Sequence, residues 1–238
     1  MKTKTIKFIT SAILLVLAVL FLVKFGGASL LKAYVQIGVG DCQKIPVLCL
    51  APDTEITNPA IDRSYQNQLI LYKFPKMQIY LPKGFNVVQE EIKEFYYTKG
   101  LRKYSGPVIY MFYQKPGYFI KLFPQVEKLG IATNYVFIGR TMYAQAAKIK
   151  NLSDTFFAIL KTIFTPNLGD QKNIKMAKFF LSEHKGYITY NLGLKENYFA
   201  CDVIDSEDGY FKIYIKDKDG ALDLGKVFAI VSTAKKQE

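Results

Sequence analysis

Polar and apolar positions divide this chain into an N-terminal run with no polar face and a longer region of alternating and helical patterns. Residues Phe8 to Val23, FITSAILLVLAVLFLV, carry no charge over sixteen positions. A buried helix of a globular domain keeps a polar side, whereas a helix in lipid is apolar all round because its backbone is satisfied internally. Lys2, Lys4 and Lys7 precede the run and Lys24 follows it. This is the layout of a membrane-targeting segment with a cytoplasmic N-terminus, which places the rest of the chain outside the cytoplasm. The run is short for a span, but residues 25–31 (FGGASLL) extend it if Lys24 snorkels to the interface. The favoured reading is an uncleaved single-pass inner-membrane anchor over residues 1–31. The alternative is cleavage near Ala28, giving a periplasmic or secreted protein.

Residues 32–67 read as a stalk, and the stretch 51–68 at its end is rich in Pro, Asn and Asp, as in a linker or an arm laid across the domain. Residues 68–238 read as one extracytoplasmic domain. Gln68 to Leu81 predicts two short strands broken at Pro75. Phe85 to Tyr97 fits a strand that continues as a helix. Pro107 to Tyr113 (PVIYMFY) predicts a strand, turned at 114–117 into a second strand, Tyr118 to Phe123, and Tyr135 to Tyr143 predicts another. Ala144 to Lys150 (AQAAKIK) starts like a helix. Asp154 to Phe164 predicts a helix capped by Ser153 and ended before Pro166. Residues 170–182 fit helix or strand.

Toward the C-terminus, Tyr187 to Leu192, Tyr198 to Ile204 and Tyr210 to Lys216 alternate as strands. Asp-Ser-Glu-Asp-Gly at 205–209 turns the last pair into a hairpin, and a final helix is capped at Asp223. Strands joined by hairpins with interspersed helices predict an α+β domain, its antiparallel sheet covered by helices and preceded by the N-terminal hydrophobic helix.

Composition agrees with a folded domain. Half of the residues are hydrophobic, with 18 Phe and 17 Tyr, too apolar for a disordered chain. The net charge is +12, and setting aside the four N-terminal lysines leaves 28 basic and 20 acidic residues. The lysines are scattered, so the charge reads first as a solvated surface; the expected partners are the membrane, through the N-terminal segment, and an envelope protein or anionic lipid. Nucleic acid is disfavoured by location, although lysines and tyrosines interleave at 94–104.

Candidate chemistry changes the picture little. Cys42 and Cys49 bracket CQKIPVLC, and in an oxidising compartment they predict a disulfide in the stalk. Cys201 reads as a buried thiol in a strand, a poor nucleophile for the lone histidine, His184. One histidine excludes a multi-histidine metal centre, and the acidic turns at 205–209 and 217–223 lack the EF-hand pattern, so neither metal nor cofactor is expected. Asn151-Leu-Ser153 matches a glycosylation sequon but also overlaps a helix start. No serine-hydrolase elbow, phosphate loop or dinucleotide fingerprint occurs.

Phe156, Phe157, Leu160 and Phe164 form an aromatic helix face that reads as core, with a lipid-binding cavity beneath it as the alternative. These observations favour a non-catalytic, membrane-anchored domain that binds an envelope partner or ligand. The rival reading is a hydrolase using carboxylates such as Asp202, Asp205 or Glu196.

Overall fold

The computed structural model describes residues 45–88, 107–165, 168–169, 173–193 and 195–237. The apolar run 8–23, Cys42, the helical continuation expected in 89–97 and the lysine-tyrosine stretch 94–104 lie outside the described residues. The strands are β1 (Thr54–Thr57), β2 (Ile70–Phe74), β3 (Met77–Leu81), β4 (Asn86–Val88), β5 (Val108–Gln114), β6 (Lys175–Phe180), β7 (His184–Leu192), β8 (Asn197–Asp205), β9 (Tyr210–Asp217) and β10 (Lys235–Lys236). The helices are α1 (Arg63–Gln66), α2 (Tyr118–Leu122), α3 (Asn134–Met142), α4 (Leu152–Phe164) and α5 (Leu224–Val231).

A seven-stranded sheet runs β1-β6-β7-β8-β9-β5-β4, and a small sheet runs β10-β3-β2. Pairing is antiparallel except for β1 with β6 and β4 with β5, so this is an α+β fold with mainly antiparallel sheets. The polar arm at 51–68 supplies β1 to one edge of the large sheet, together with the short helix α1.

Alternation along the central strands explains the layering, because a side-chain period of two sends successive residues to opposite faces. On β8, Phe199, Cys201 and Val203 join one core, shared with Met77, Ile79 and Leu81 of β3 and with Val227, Phe228 and Val231 of α5. From the opposite face Ile204 of β8 and Tyr210 of β9 enter a second core with Phe119, Phe137, Phe157 and Phe164 of the helices. The large sheet is thus the middle layer, with α2, α3 and α4 on one side and the small sheet with α5 on the other.

The C-terminal strands and the α5 cap fall where the sequence puts them, and the Asp223 carboxylate accepts the Lys226 backbone N–H at 2.9 Å. The ambiguous segment before Gly186 resolves as the strand β6. Two expected strands are helices. Residues 118–123 cannot pair with β5, because β9 and β4 already occupy its two edges, and after left-handed Gly117 they form α2. Residues 135–143 form most of α3, where Thr133 accepts the Val136 N–H at 3.2 Å as the N-cap. Buried Asn134, Phe137, Ile138, Thr141 and Met142 have helical spacing. Residues 146–148 form a single 3-10 turn where a helix start was expected. In α4 the cap is Asn151 instead of Ser153: its side chain accepts the Asp154 N–H at 2.9 Å.

Candidate functional site

The aromatic face of α4 closes against α2, α3 and β9. Phe119 stacks on Phe137 with centroids 4.8 Å apart and meets Tyr210 edge-on at 5.0 Å and Phe164 at 5.4 Å. Phe157 meets Phe137 edge-on at 5.7 Å. Such edge-to-face and offset pairs are the arrangements that ring quadrupoles favour. Phe157, Leu160 and Phe164 are buried in this cluster, whereas Phe156 is only half-buried and lies edge-on to Phe123 at 5.2 Å. Three of the four residues proposed for a cavity therefore pack inward and the fourth turns toward the surface.

Beside the rings sits a buried polar cluster that the sequence pattern did not reveal. Lys212 of β9 donates to both oxygens of Asp202 on β8, at 2.8 and 2.9 Å, and to the Phe164 carbonyl at 2.6 Å. The Tyr210 hydroxyl donates to Asp202 at 2.6 Å. All three side chains are almost wholly removed from solvent. Burial pushes the Asp202 carboxyl above its ordinary range, and Lys212 opposes that shift. The group is saturated with internal partners and ties β8, β9 and the end of α4 together.

Lys161 of α4 is buried as well. Its ammonium donates to the carbonyls of Leu50, at 2.6 Å, and Ala144, at 2.8 Å. Burial lowers its pKa to about 7, against an opposing pull from Asp53. Val47 and Leu48 are buried against the helix layer too, so the chain enters the domain beneath α4.

The proposed carboxylates diverge. Asp202 faces the helix layer. Asp205 accepts the N–H groups of Glu207 and Gly209 in the hairpin turn, and Glu196 bonds the Tyr198 hydroxyl and pairs with Lys216 at 3.5 Å near the other end of β8. His184 pairs across the ladder with Asp205, while Cys201 pairs with Ile188, four residues further along, roughly 13 Å at strand rise. His184 donates from Nε2 to the Ala234 carbonyl at 2.8 Å, and burial lowers its pKa. Burial pushes the Cys201 thiol upward, away from reactivity. The two acidic turns satisfy backbone: Asp217 accepts the Leu222 N–H at 2.6 Å, and Asp208 accepts those of Asn134 and Tyr135 at 2.7 and 3.0 Å. Among the described residues no group of three or more His, Cys, Asp or Glu could hold a metal ion.

Two surface recesses are lined in part by charged side chains. One, about 380 Å³, lies at the start of α4 between Arg140, Lys148, Lys150 and Asp154, and the other, about 340 Å³, lies around His184, Asp205 and Glu207. Their charges are partly spent on each other: Arg140 pairs with Asp154 at 3.3 Å, and Lys236 with Glu207 at 2.7 Å.

Large apolar side chains are exposed on both outer layers: Ile70, Leu71 and Tyr80 on the small sheet, and a further set on the helix layer. Leu122, Leu129, Val136, Tyr143, Leu152 and Ile159 are all between 42 and 51% exposed. Along α4, Leu152 and Ile159 are exposed, while Phe156 and Ile163 beside them are half-buried against the inner core. The chain matches no protein-family model, and no curated protein or solved structure matches it either.

Proposed function

We propose that the protein is a membrane-tethered domain displayed outside the cytoplasm and that its role is non-catalytic binding at the envelope. The observation that carries this reading is the outward apolar surface of the helix layer, beside the point where the chain arrives from its hydrophobic N-terminal run. Exposed apolar patches are a feature of interaction sites. The divergence of Asp202, Asp205 and Glu196 counts against the hydrolase reading, because general acid and base must face one substrate. In this proposal Cys42 and Cys49 form a disulfide that stiffens the membrane-proximal segment.

The test is expression of the full chain in a bacterial host, alkaline extraction of the membranes, and intact-mass measurement with alkylation before and after reduction. The expected product is full-length, resists extraction, and gains two additional alkyl groups only after reduction. A soluble product starting near Ser29 would remove the tether from the proposal, and two more reactive thiols without reduction would remove the disulfide.

A further inference from the structure

The outward surface of the helix layer has a composition that selects one occupant. Its exposed apolar residues alternate with basic ones along the chain: Lys121 precedes Leu122, Lys128 precedes Leu129, and Lys150 stands two positions before Leu152. On α3, Val136 and Arg140 are exposed one turn apart, with Arg140 paired to Asp154, while Tyr143 at the helix end donates to the Pro52 carbonyl at 3.3 Å and meets Tyr187 edge-on. Against these stand Glu127 and Asp154, and Asp154 is already engaged by Arg140. A surface of apolar side chains interleaved with lysine and arginine fits the boundary between acyl chains and anionic headgroups. It suits a second copy of the chain poorly, because two such surfaces would face each other with like charges.

Chain geometry gives the same direction. Val47 packs with Phe119 and Phe157, and the Leu50 carbonyl is held by Lys161, so residues 45–50 lie against the helix layer. Twenty-one residues, 24–44, separate the apolar run from Ile45. A linker of this length reaches at most about 70 Å, which lets the helix layer meet the membrane. The small sheet and α5 occupy the far side.

Resting on the tethered reading above, we propose that the outer surface of α2, α3 and α4 lies on the bilayer that holds the N-terminal segment, with Leu129 and Ile159 in the acyl boundary and the flanking lysines on anionic headgroups. The domain then sits flat on the membrane and presents the small-sheet side to the envelope. Burial to this shallow depth, roughly 5–10 Å, is what an interfacial apolar helix face supports.

The chain has no tryptophan, so a single introduced indole reports its own surroundings. Ile159→Trp, Leu129→Trp and, on the opposite layer, Leu71→Trp are each placed in the full chain. Each is reconstituted in vesicles of phosphatidylethanolamine and phosphatidylglycerol with and without brominated acyl chains. Ile159→Trp and Leu129→Trp should lose most of their emission in brominated vesicles, while Leu71→Trp keeps its own. Replacing phosphatidylglycerol by phosphatidylcholine should weaken the quenching at Ile159 and Leu129. Equal, weak quenching of all three in a protein that resists alkaline extraction overturns the lipid contact and leaves the tether standing. A blue-shifted but unquenched Ile159→Trp that depends on protein density assigns the surface to a second copy, which also overturns it. Quenching indifferent to headgroup charge overturns the role of the lysines. Protein released by alkaline extraction defeats the tether and the proposal together.

Discussion

Lys161 ends its side chain between two carbonyl oxygens in place of a carboxylate, and this gives the protein a distinct dependence on pH. In the unfolded chain the amine titrates near its ordinary 10.5, and in the folded domain near about 7. Between these values the unfolded state binds more protons, so stability rises as pH rises through the window, and the full cost of the buried ammonium is present below it. Urea unfolding at pH 7, 7.5 and 8 should show stability increasing across the series, below the range in which the buried Cys201 thiol and the tyrosines, whose values burial raises, ionise in the unfolded chain and oppose the trend. In Lys161→Met that increase should be lost, whatever the variant's absolute stability; a slope equal to that of the wild type would place the titrating group elsewhere. The Lys161 signal was faint in the sequence, where a lysine near the end of an apolar helix reads as a solvated residue. Its burial follows from residues 45–50 crossing beneath α4, a long-range packing event that local pattern does not encode.

At the scale of elements, α3 depends on a carboxylate from another part of the chain. Asp208 sits in the turn between β8 and β9 with φ +69°, and its oxygens receive the first backbone N–H groups of α3. Asn134 completes the junction, donating to the carbonyls of Lys115 and Asp208 and accepting the Phe119 N–H at 3.2 Å. Asp208→Ala loses the cap and retains a left-handed backbone, so it should cost about 2–3 kcal/mol. Asp208→Gly loses only the cap and should cost about 1 kcal/mol less. Chemical denaturation of the two variants measures the difference, and equal losses would show that the backbone conformation contributes nothing.

The same junction shows where sequence reading succeeds and fails. The strands β7, β8 and β9 were legible because apolar and polar positions alternate along them and Asp-Gly turns at 205–209 and 217–220 mark the ends of β8 and β9. Residues 118–123 and 135–143 were read as strands because Tyr, Phe, Val and Ile favour sheets locally. The spacing of Phe137, Ile138 and Met142 was a helical signal available in the sequence, but buried Asn134 and Thr141 are polar and added nothing to it. The Asp202 and Lys212 pair could not be found without the register of β8 on β9, since each residue alone looks like the polar half of an alternating strand.

At the scale of the molecule, the domain is organised around contacts distant in sequence. β1 pairs with β6 more than a hundred residues away, and α2, α3 and α4 are inserted between β5 and β6. A shortened chain starting at Ile45 should therefore melt cooperatively. One starting at Ile61 loses β1, the buried Val47 and Leu48, and the Leu50 acceptor for Lys161. It should melt on the order of 10 °C lower. Circular dichroism melts compare the two, and coincident curves would show that residues 45–60 add nothing to the fold.

The buried pair also constrains how the sheet can assemble. Asp202 and Lys212 are direct partners across the β8–β9 ladder. A slip of one residue would exchange the two cores, which the alternating pattern forbids. A slip of two keeps every apolar side chain on its proper side, so hydrophobicity alone cannot reject it. It would, however, part the carboxylate from the ammonium and strand both in a dry interior, at a cost of several kcal/mol. The pair therefore works as a parity check on assembly, detecting the even-numbered errors to which the hydrophobic alternation is blind.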